Sequence, residues 1–415
     1  MNRIALSMAR NLRVTVCLFL SWAILLGVGM GVSAAQQTEP EQPTAADAHA
    51  EYARKLAVYQ AARQAFEEVA GPYWDEIRLK RQQRNAKRRN GEVVVAEDYV
   101  LTQPPRYAGP PRPVAPPDEQ QEEAHHRAHI PVVADFLHHA HEHYQFGPTR
   151  PAKEIDYKRA YAKVAGAAGL TPEQAARVYI FEVGGNGKYN TQAGLEGHTP
   201  GAHAISTALG YNQLLTTNSV AILAEQGERF ASLLKAKAAG LSDAAKAKLL
   251  RKADVVLRMT VYCRTVPDQW SEHEKLAKTP KGLAVHAMLL DVDVGPLLQT
   301  QKLLDSIIFA RRKGYAAPLS AAELEMMNLT GDGNGFDMIT IPAEMREHIP
   351  TSNFFQRGGY ERNAVAIRNN TVAKLLAATN ARMDKGMDQP GAKDLLSAFR
   401  PNEITGIAES TPPRQ

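Results

Sequence analysis

The chain has 415 residues, 49 of them basic and 44 acidic, with a formal charge of +5 and 44% hydrophobic residues. That length is ample for a buried core, and the slight positive charge is a poor footprint for nucleic acid, so no nucleic-acid partner is expected. Only two cysteines are present.

Arg3, Arg10 and Arg13 precede Val14–Val32, a stretch without charge, and Val32-Ser33-Ala34-Ala35 then places small residues before polar Gln36. The pattern reads as a secretory signal over residues 1–35, cleaved near Ala35, or as an uncleaved single-pass anchor, since the run is long enough to span a bilayer. Export follows either way, so a periplasmic location is expected, with membrane contact only where the segment is uncleaved. Cys17 does not sit in a lipobox. Cleavage would remove arginines and no acids, bringing the charge towards neutral, and would leave Cys263 alone. Cys263 reads as a small core residue that has no intrachain disulfide partner.

Residues 36–102 read as an extension. A Gln/Glu/Pro/Thr linker (36–46) leads into helix-forming composition over 47–70, with Tyr52, Leu56, Tyr59 and Phe66 as its apolar set. Arg78, Lys80, Arg81, Arg84, Lys87, Arg88 and Arg89 then read as a solvated helix face or as a contact for acidic cell-wall or lipid headgroups. Residues 47–90 are thus a candidate surface for an envelope protein partner. Residues 103–129 read as a proline-rich linker whose first part, 103–118, is an extended spacer.

A compact domain is expected over 130–399, with a flexible tail over 400–415. Helix signals recur in it and strand signals are scarce, which predicts a mainly α domain with a small β wing. Helices are predicted over 131–145, 153–168, 172–183, 203–226, 242–264, 293–313, 319–328 and 364–385. Asn186-Gly187 is placed to turn a small hairpin with Lys188-Tyr189-Asn190. His125, His126 and His129 with His138, His139, His141 and His143 make a histidine-rich stretch. The pairs His139/His143 and His125/His129 share helix faces at i, i+4, but His141-Glu142-His143 lacks metalloprotease spacing. The stretch reads as a polar helix face, and neither a metal nor a cofactor is expected.

Glu182 is the most telling residue. Thr171 is an N-cap, Pro172 suits the first helical position and Gln174 completes a capping box. Ala175, Val178, Tyr179 and Glu182 fall at i, i+3, i+4 and i+7, so the glutamate points where the helix buries apolar residues. Burial and the negative end of the helix dipole, just before Gly184-Gly185, both raise a carboxyl pKa. A general acid needs that property. Ser206, Gly210, Gln213 and Thr217 are spaced 4, 3 and 4 apart, which predicts a polar stripe along one face of the 203–226 helix.

Ser206-Thr207-Ala208-Leu209-Gly210-Tyr211-Asn212-Gln213 resembles the Ser-x-x-Gly-Ala-x-Gly-Leu-Met-Gln motif of lytic transglycosylases, in the lysozyme-like superfamily that includes goose-type lysozymes. The resemblance covers about residues 180–215. It implies a lysozyme-like helical fold, Glu182 as acid and then base on the MurNAc–GlcNAc bond of peptidoglycan, and a saccharide cleft lined by Ser206, Gly210 and Gln213. Tyr211 and Tyr189 join these as candidate substrate contacts. The chain departs from the family at Val183, where a Ser is usual, in a longer gap from Glu182 to Gln213, and in the later Tyr-Asn-Ala-Gly segment. For that segment Gly359-Tyr360-Glu361-Arg362-Asn363 offers Tyr360 as a counterpart. The rest of the chain resembles alphaproteobacterial envelope proteins, a likeness that carries no mechanism.

Gly331-Asp332-Gly333-Asn334-Gly335-Phe336-Asp337 looks like the start of a calcium loop but has Phe336 and Asp337 where an EF-hand needs a ligand and a glycine. It reads as a turn, and Asp332 or Asp337 is the candidate second carboxylate for a hydrolase. Phe354-Phe355-Gln356-Arg357-Gly358-Gly359-Tyr360 is a loop that caps a core or meets a sugar. The expected function is an exported peptidoglycan-cleaving enzyme acting on glycan strands, a transglycosylase or a lysozyme-type glycosidase. The alternative is a non-catalytic periplasmic glycan-binding or scaffold protein on the same fold.

Overall fold

The computed structural model describes residues 44–120, 129–195 and 202–400. The signal or anchor segment, His125, His126 and the tail beyond Arg400 lie outside them. The protein is mainly helical, and among the described residues there is no strand. Where a β wing was expected, only isolated bridges occur, Gln192 with Leu209 and Leu209 with Leu214. Among the described residues no helix is long and apolar enough to cross a membrane.

Helix α1 (Ala45–Arg89) starts at a capping box between Thr44 and Asp47 and runs unbroken past Pro72. At 1.5 Å per residue it is about 68 Å long. The basic run is only in part a solvated face: Arg78 and Arg89 are exposed, whereas Arg81, Arg84 and Arg88 turn inward. Arg84 is fully buried, Nε donating to Asp337 Oδ2 at 2.9 Å and Nη1 to the Asp98 carbonyl, while Arg88 pairs with the other Asp337 oxygen. Arg81 donates to the carbonyls of Asn353 and Phe355. These cations dock α1 on the body, because a buried guanidinium is tolerated only when paired and hydrogen-bonded. Nor does the proline segment reach away as a spacer. Tyr107 packs edge-on against Tyr59 and Phe66, and Arg63 lies 4.8 Å over its ring, so the segment folds back along α1.

The body follows as α2 (Val133–Tyr144), α3 (Glu154–Ala167), α4 (Pro172–Val183), α5 (Thr216–Ala239), α6 (Asp243–Cys263), α7 (Trp270–Ala277), α8 (Pro280–His286), α9 (Gly295–Arg312), α10 (Ala321–Thr330) and α11 (Asp332–Ile339). Then come α12 (Ala343–Arg346), α13 (Arg357–Arg362), α14 (Ala364–Arg368), α15 (Val372–Gly386) and α16 (Pro390–Ala398). Two cores divide the work. One gathers α2, α5, α6 and α8 around Phe136, Leu223, Phe230 and Met259; the other gathers α3, α4, α10, α11 and α15 around Tyr161, Tyr179, Met326 and Leu375. Cys263 is buried and free in the first core.

The loop before α5 joins these cores. Leu209 and Leu214 sit in the first and Tyr211 in the second. Here the predicted 203–226 helix fails, for the first turn of α5 begins only at Thr216. Leu209 and Leu214 exchange backbone hydrogen bonds of 2.9 and 3.0 Å, closing a tight turn. Gly210 holds φ +84° and Gln213 φ +43°, left-handed values that a right-handed helix cannot contain. Gln299 of α9 grips the turn from below, accepting from Asn212 N at Oε1 and from Asn212 Nδ2 at its carbonyl. The 331–337 segment also differs from expectation: Asp332 opens a helix rather than a turn, with Gly331 at φ +81° breaking α10 from α11.

Candidate active site

Helix α4 is built as its sequence dictates. Thr171 Oγ1 accepts from Gln174 N at 3.0 Å, Gln174 Oε1 accepts from Thr171 N, and Gly184 ends the helix at φ +70°. Ala175, Val178 and Tyr179 are buried. Glu182, on the same face, lines a groove of about 1000 Å³ together with Gln213, Trp270, Lys302, Asp305 and Asp332.

Behind Glu182 stands Glu325 of α10, fully buried, and each of the two carboxyl groups bears on the ionisation of the other. Two neighbouring carboxylates repel each other, which favours a proton on one of the pair. The Glu325 oxygens are buried and accept no hydrogen bond from any N–H or O–H donor of the protein, which fits a neutral acid better than an anion. Burial pushes Glu182 up to about 7 and Glu325 well above the usual carboxylate range, and the charge of Glu182 adds to the effect on Glu325. Glu325, Lys302, Arg382 and Asn328 draw Glu182 the other way without cancelling burial. Asn328 Nδ2 donates to Glu182 Oε1. Arg382 does not form an ion pair with it: its guanidinium donates to the Phe181 carbonyl at 2.7 Å and stacks 4.5 Å over the Phe181 ring. The raised pKa therefore belongs to a pair of acids that retains a proton at near-neutral pH.

No family model, curated protein or solved structure matches the chain. Function is accordingly argued from the chemistry of the groove.

The structure brings Gln213 and Asp332 to the same groove as Glu182. Gln213 Nε2 donates to the carbonyls of Thr191 and Gly210, which leaves its amide oxygen as the group it can offer to a ligand. Asp332 Oδ1 accepts from Ser306 Oγ at 2.6 Å. Ser206 lies beside the groove rather than in its wall; its Oγ accepts from Ala208 N, while Ile205 and Ala208 are the residues that line it. Gly210 is scaffold. A Cβ there would sit 1.9 Å from Gln299 Nε2 on a left-handed backbone, so any other residue would displace the Gln299 amide and strain the turn.

The remaining candidates are not in the groove. Tyr211 is fully buried among Tyr157, Tyr161 and Tyr179, with ring centroids 5.3, 5.6 and 4.8 Å away, and its hydroxyl donates to Glu154. Tyr189 stacks on Tyr157 at 4.9 Å. Both tyrosines support the turn from inside. Tyr360 packs on Trp74 and Phe355 and faces a separate pocket of about 270 Å³ shared with Phe66 and Tyr107. Asp337 is the anion that receives Arg84, Arg88 and the Tyr99 hydroxyl, and cannot serve as a second carboxylate in the groove.

Sequence reasoning missed several groove residues. Asp305 lines it, pushed up to about 6 chiefly by burial, and Glu225 stands nearby in the same wall. Trp270 is half exposed and offers an indole face. Glu325 was also missed, although a glutamate flanked by Leu324, Met326 and Met327 is a signal of a buried acid. Below the turn, His286 is fully buried and pushed down to about 4; its ring nitrogens meet Thr207 O and Ser219 Oγ, tying the groove wall to α8.

Proposed function

We propose that the protein cleaves glycan strands of peptidoglycan in the periplasm, as a lytic transglycosylase on a lysozyme-like scaffold, with Glu182 as the acid and base. The observation that carries this reading is a proton-retaining glutamate opening into a groove whose wall includes Gln213. Protonated Glu182 would donate to the glycosidic oxygen as the C–O bond breaks, and its carboxylate would then take the proton of the sugar's own hydroxyl as that oxygen closes an anhydro ring. Glu325 would hold Glu182 in place and remain neutral behind it. The indole of Trp270 supplies an apolar face for a sugar ring, and the acidic wall of Asp305, Asp332 and Glu225 supplies acceptors for sugar hydroxyls.

Digestion of purified sacculi tests this. Wild-type protein should release anhydro-muropeptides detectable by mass spectrometry, and Glu182→Gln should release none. Reducing-end products would make the enzyme a hydrolase. Equal release by the variant would overturn the role of Glu182.

A second reading, a non-catalytic glycan-binding envelope protein, is favoured by one feature: both amide hydrogens of Gln213 are spent on backbone carbonyls. Glycan binding that survives Glu182→Gln, with no product from either protein, would establish it.

A further inference from the structure

We propose that the outer face of α2 is a binding site for one divalent transition-metal ion, of the Zn²⁺ class, held by His138, His139 and Glu142 with His143 as the fourth ligand. The site is independent of the groove and of the function proposed for it.

The placement follows from helix geometry. Phe136, Ala140 and Tyr144 form the buried stripe of α2, and Phe136 meets the His286 ring edge-on at 4.7 Å. His138 and Glu142 are one turn apart, as are His139 and His143, so four ligand-bearing side chains occupy two adjacent rows beside that stripe. One ligand atom from each of His138, His139 and Glu142 lies within 4.8 Å of the other two. Glu142 Oε2 stands at the centre of the group, 3.6 Å from His138 Nε2, 3.5 Å from His139 Nδ1 and 3.5 Å from His143 Nε2. The edge of a tetrahedron of imidazole and carboxylate ligands about 2.0–2.1 Å from zinc is roughly 3.3–3.5 Å.

A second observation points to a ligand. His139 Nδ1 and His143 Nε2 are shielded from water yet make no hydrogen bond. Buried polar atoms are nearly always satisfied, and an unpaired one costs about 1–3 kcal/mol. A metal ion would satisfy both. Closure asks for side-chain rotation, chiefly of His143, whose ring stacks on His139 at 5.8 Å. Imidazole with a single carboxylate suits Zn²⁺, Co²⁺, Ni²⁺ or Cu²⁺, whereas Mg²⁺ and Ca²⁺ require oxygen ligands. The sequence pattern alone reads as a polar face because it does not show Glu142 folding back between the rings.

The test uses tag-free protein stripped with chelator and titrated with Co²⁺, following its visible absorption, and with Zn²⁺ by calorimetry. One equivalent should bind with a tetrahedral Co²⁺ spectrum that Zn²⁺ abolishes and Mg²⁺ does not. His139→Ala should weaken binding at least about ten-fold. His138→Ala should weaken it as well, and since His138 is 72% exposed that variant cannot owe its effect to unfolding. His141→Ala, whose ring is not in the cluster, should bind as wild type. The proposal is overturned if no Co²⁺ binds, if Co²⁺ gives an octahedral spectrum, or if His138→Ala and His139→Ala bind unchanged.

Discussion

Glu182 and Asp337 are both acidic residues beside glycine-rich segments, one half-buried at the groove and the other fully buried, and the protein treats them in opposite ways. Asp337 on α11 meets two guanidinium groups and a tyrosine hydroxyl brought by α1 and the segment after it. Glu182 on α4 meets another acid, Glu325, and no cation pairs with it among the described residues. A buried negative charge needs a counter-charge or a proton. One region uses arginine and gains a docking joint, while the other keeps a proton that it can give away. The chemistry of an acid in this fold is thus set by which helix arrives opposite it.

The largest test of that contrast is Asp337→Ala. Removing the anion leaves Arg84 buried with only carbonyl partners, and breaking such a pair costs about 3–5 kcal/mol. Denaturant unfolding should show a loss of that size, and a loss below about 1 kcal/mol would mean that α1 is not held by this joint.

Glu182→Gln should act in the opposite sense. Glu182 is raised from about 4.5 to about 7, so the folded state binds its proton more tightly than the unfolded chain does. Its contribution to stability is full below about pH 4.5 and is lost as pH rises through 7. The neutral amide does not suffer that loss, so the variant should match wild type at pH 4 and exceed it at pH 8 by on the order of 2–3 kcal/mol. Melts across this range decide the matter. A variant destabilised at every pH would make Glu182 an ionised structural residue.

Gly210→Ala is next in size. The new methyl would meet Gln299 in a left-handed backbone, costing about 1–3 kcal/mol and loosening the wall that presents Gln213. Stability and glycan affinity should fall together, and an unaffected protein would show that Gln299 yields freely.

The legible part of the fold was local. The Thr171–Gln174 box and the Gly184 stop specify α4 within one stretch of chain, and the ends of α2, α3, α6 and α9 follow from periodicity within a few residues. Helix α5 was misplaced because Ser206, Gly210, Gln213 and Thr217 imitate a helical stripe, while the force that overrides it, the grip of Gln299, comes from α9. The solvated reading of Arg84 failed for the same reason, since its partner is 253 residues away. Glu182 was legible as an acid on a buried face, but its acidic neighbour Glu325 becomes visible only when α10 packs on α4.

A finer effect separates the members of the pair. Glu325 lowers the Glu182 value, so Glu325→Leu should move the upper limb of any pH–activity profile to higher pH. Glu325→Gln, which still has a donor, should move it less. Limbs unchanged from wild type in both variants would mean that the two acids do not interact.

The most direct measurement is a carbon-13 NMR titration of glutamate carboxyls in wild-type protein and in Glu182→Gln. One carboxyl should titrate near pH 7 in the wild type and vanish from the variant, with a second remaining protonated above it. If every glutamate carboxyl titrates within the ordinary range around 4.5, Glu182 is an anion at neutral pH, and its role as the groove's acid is contradicted.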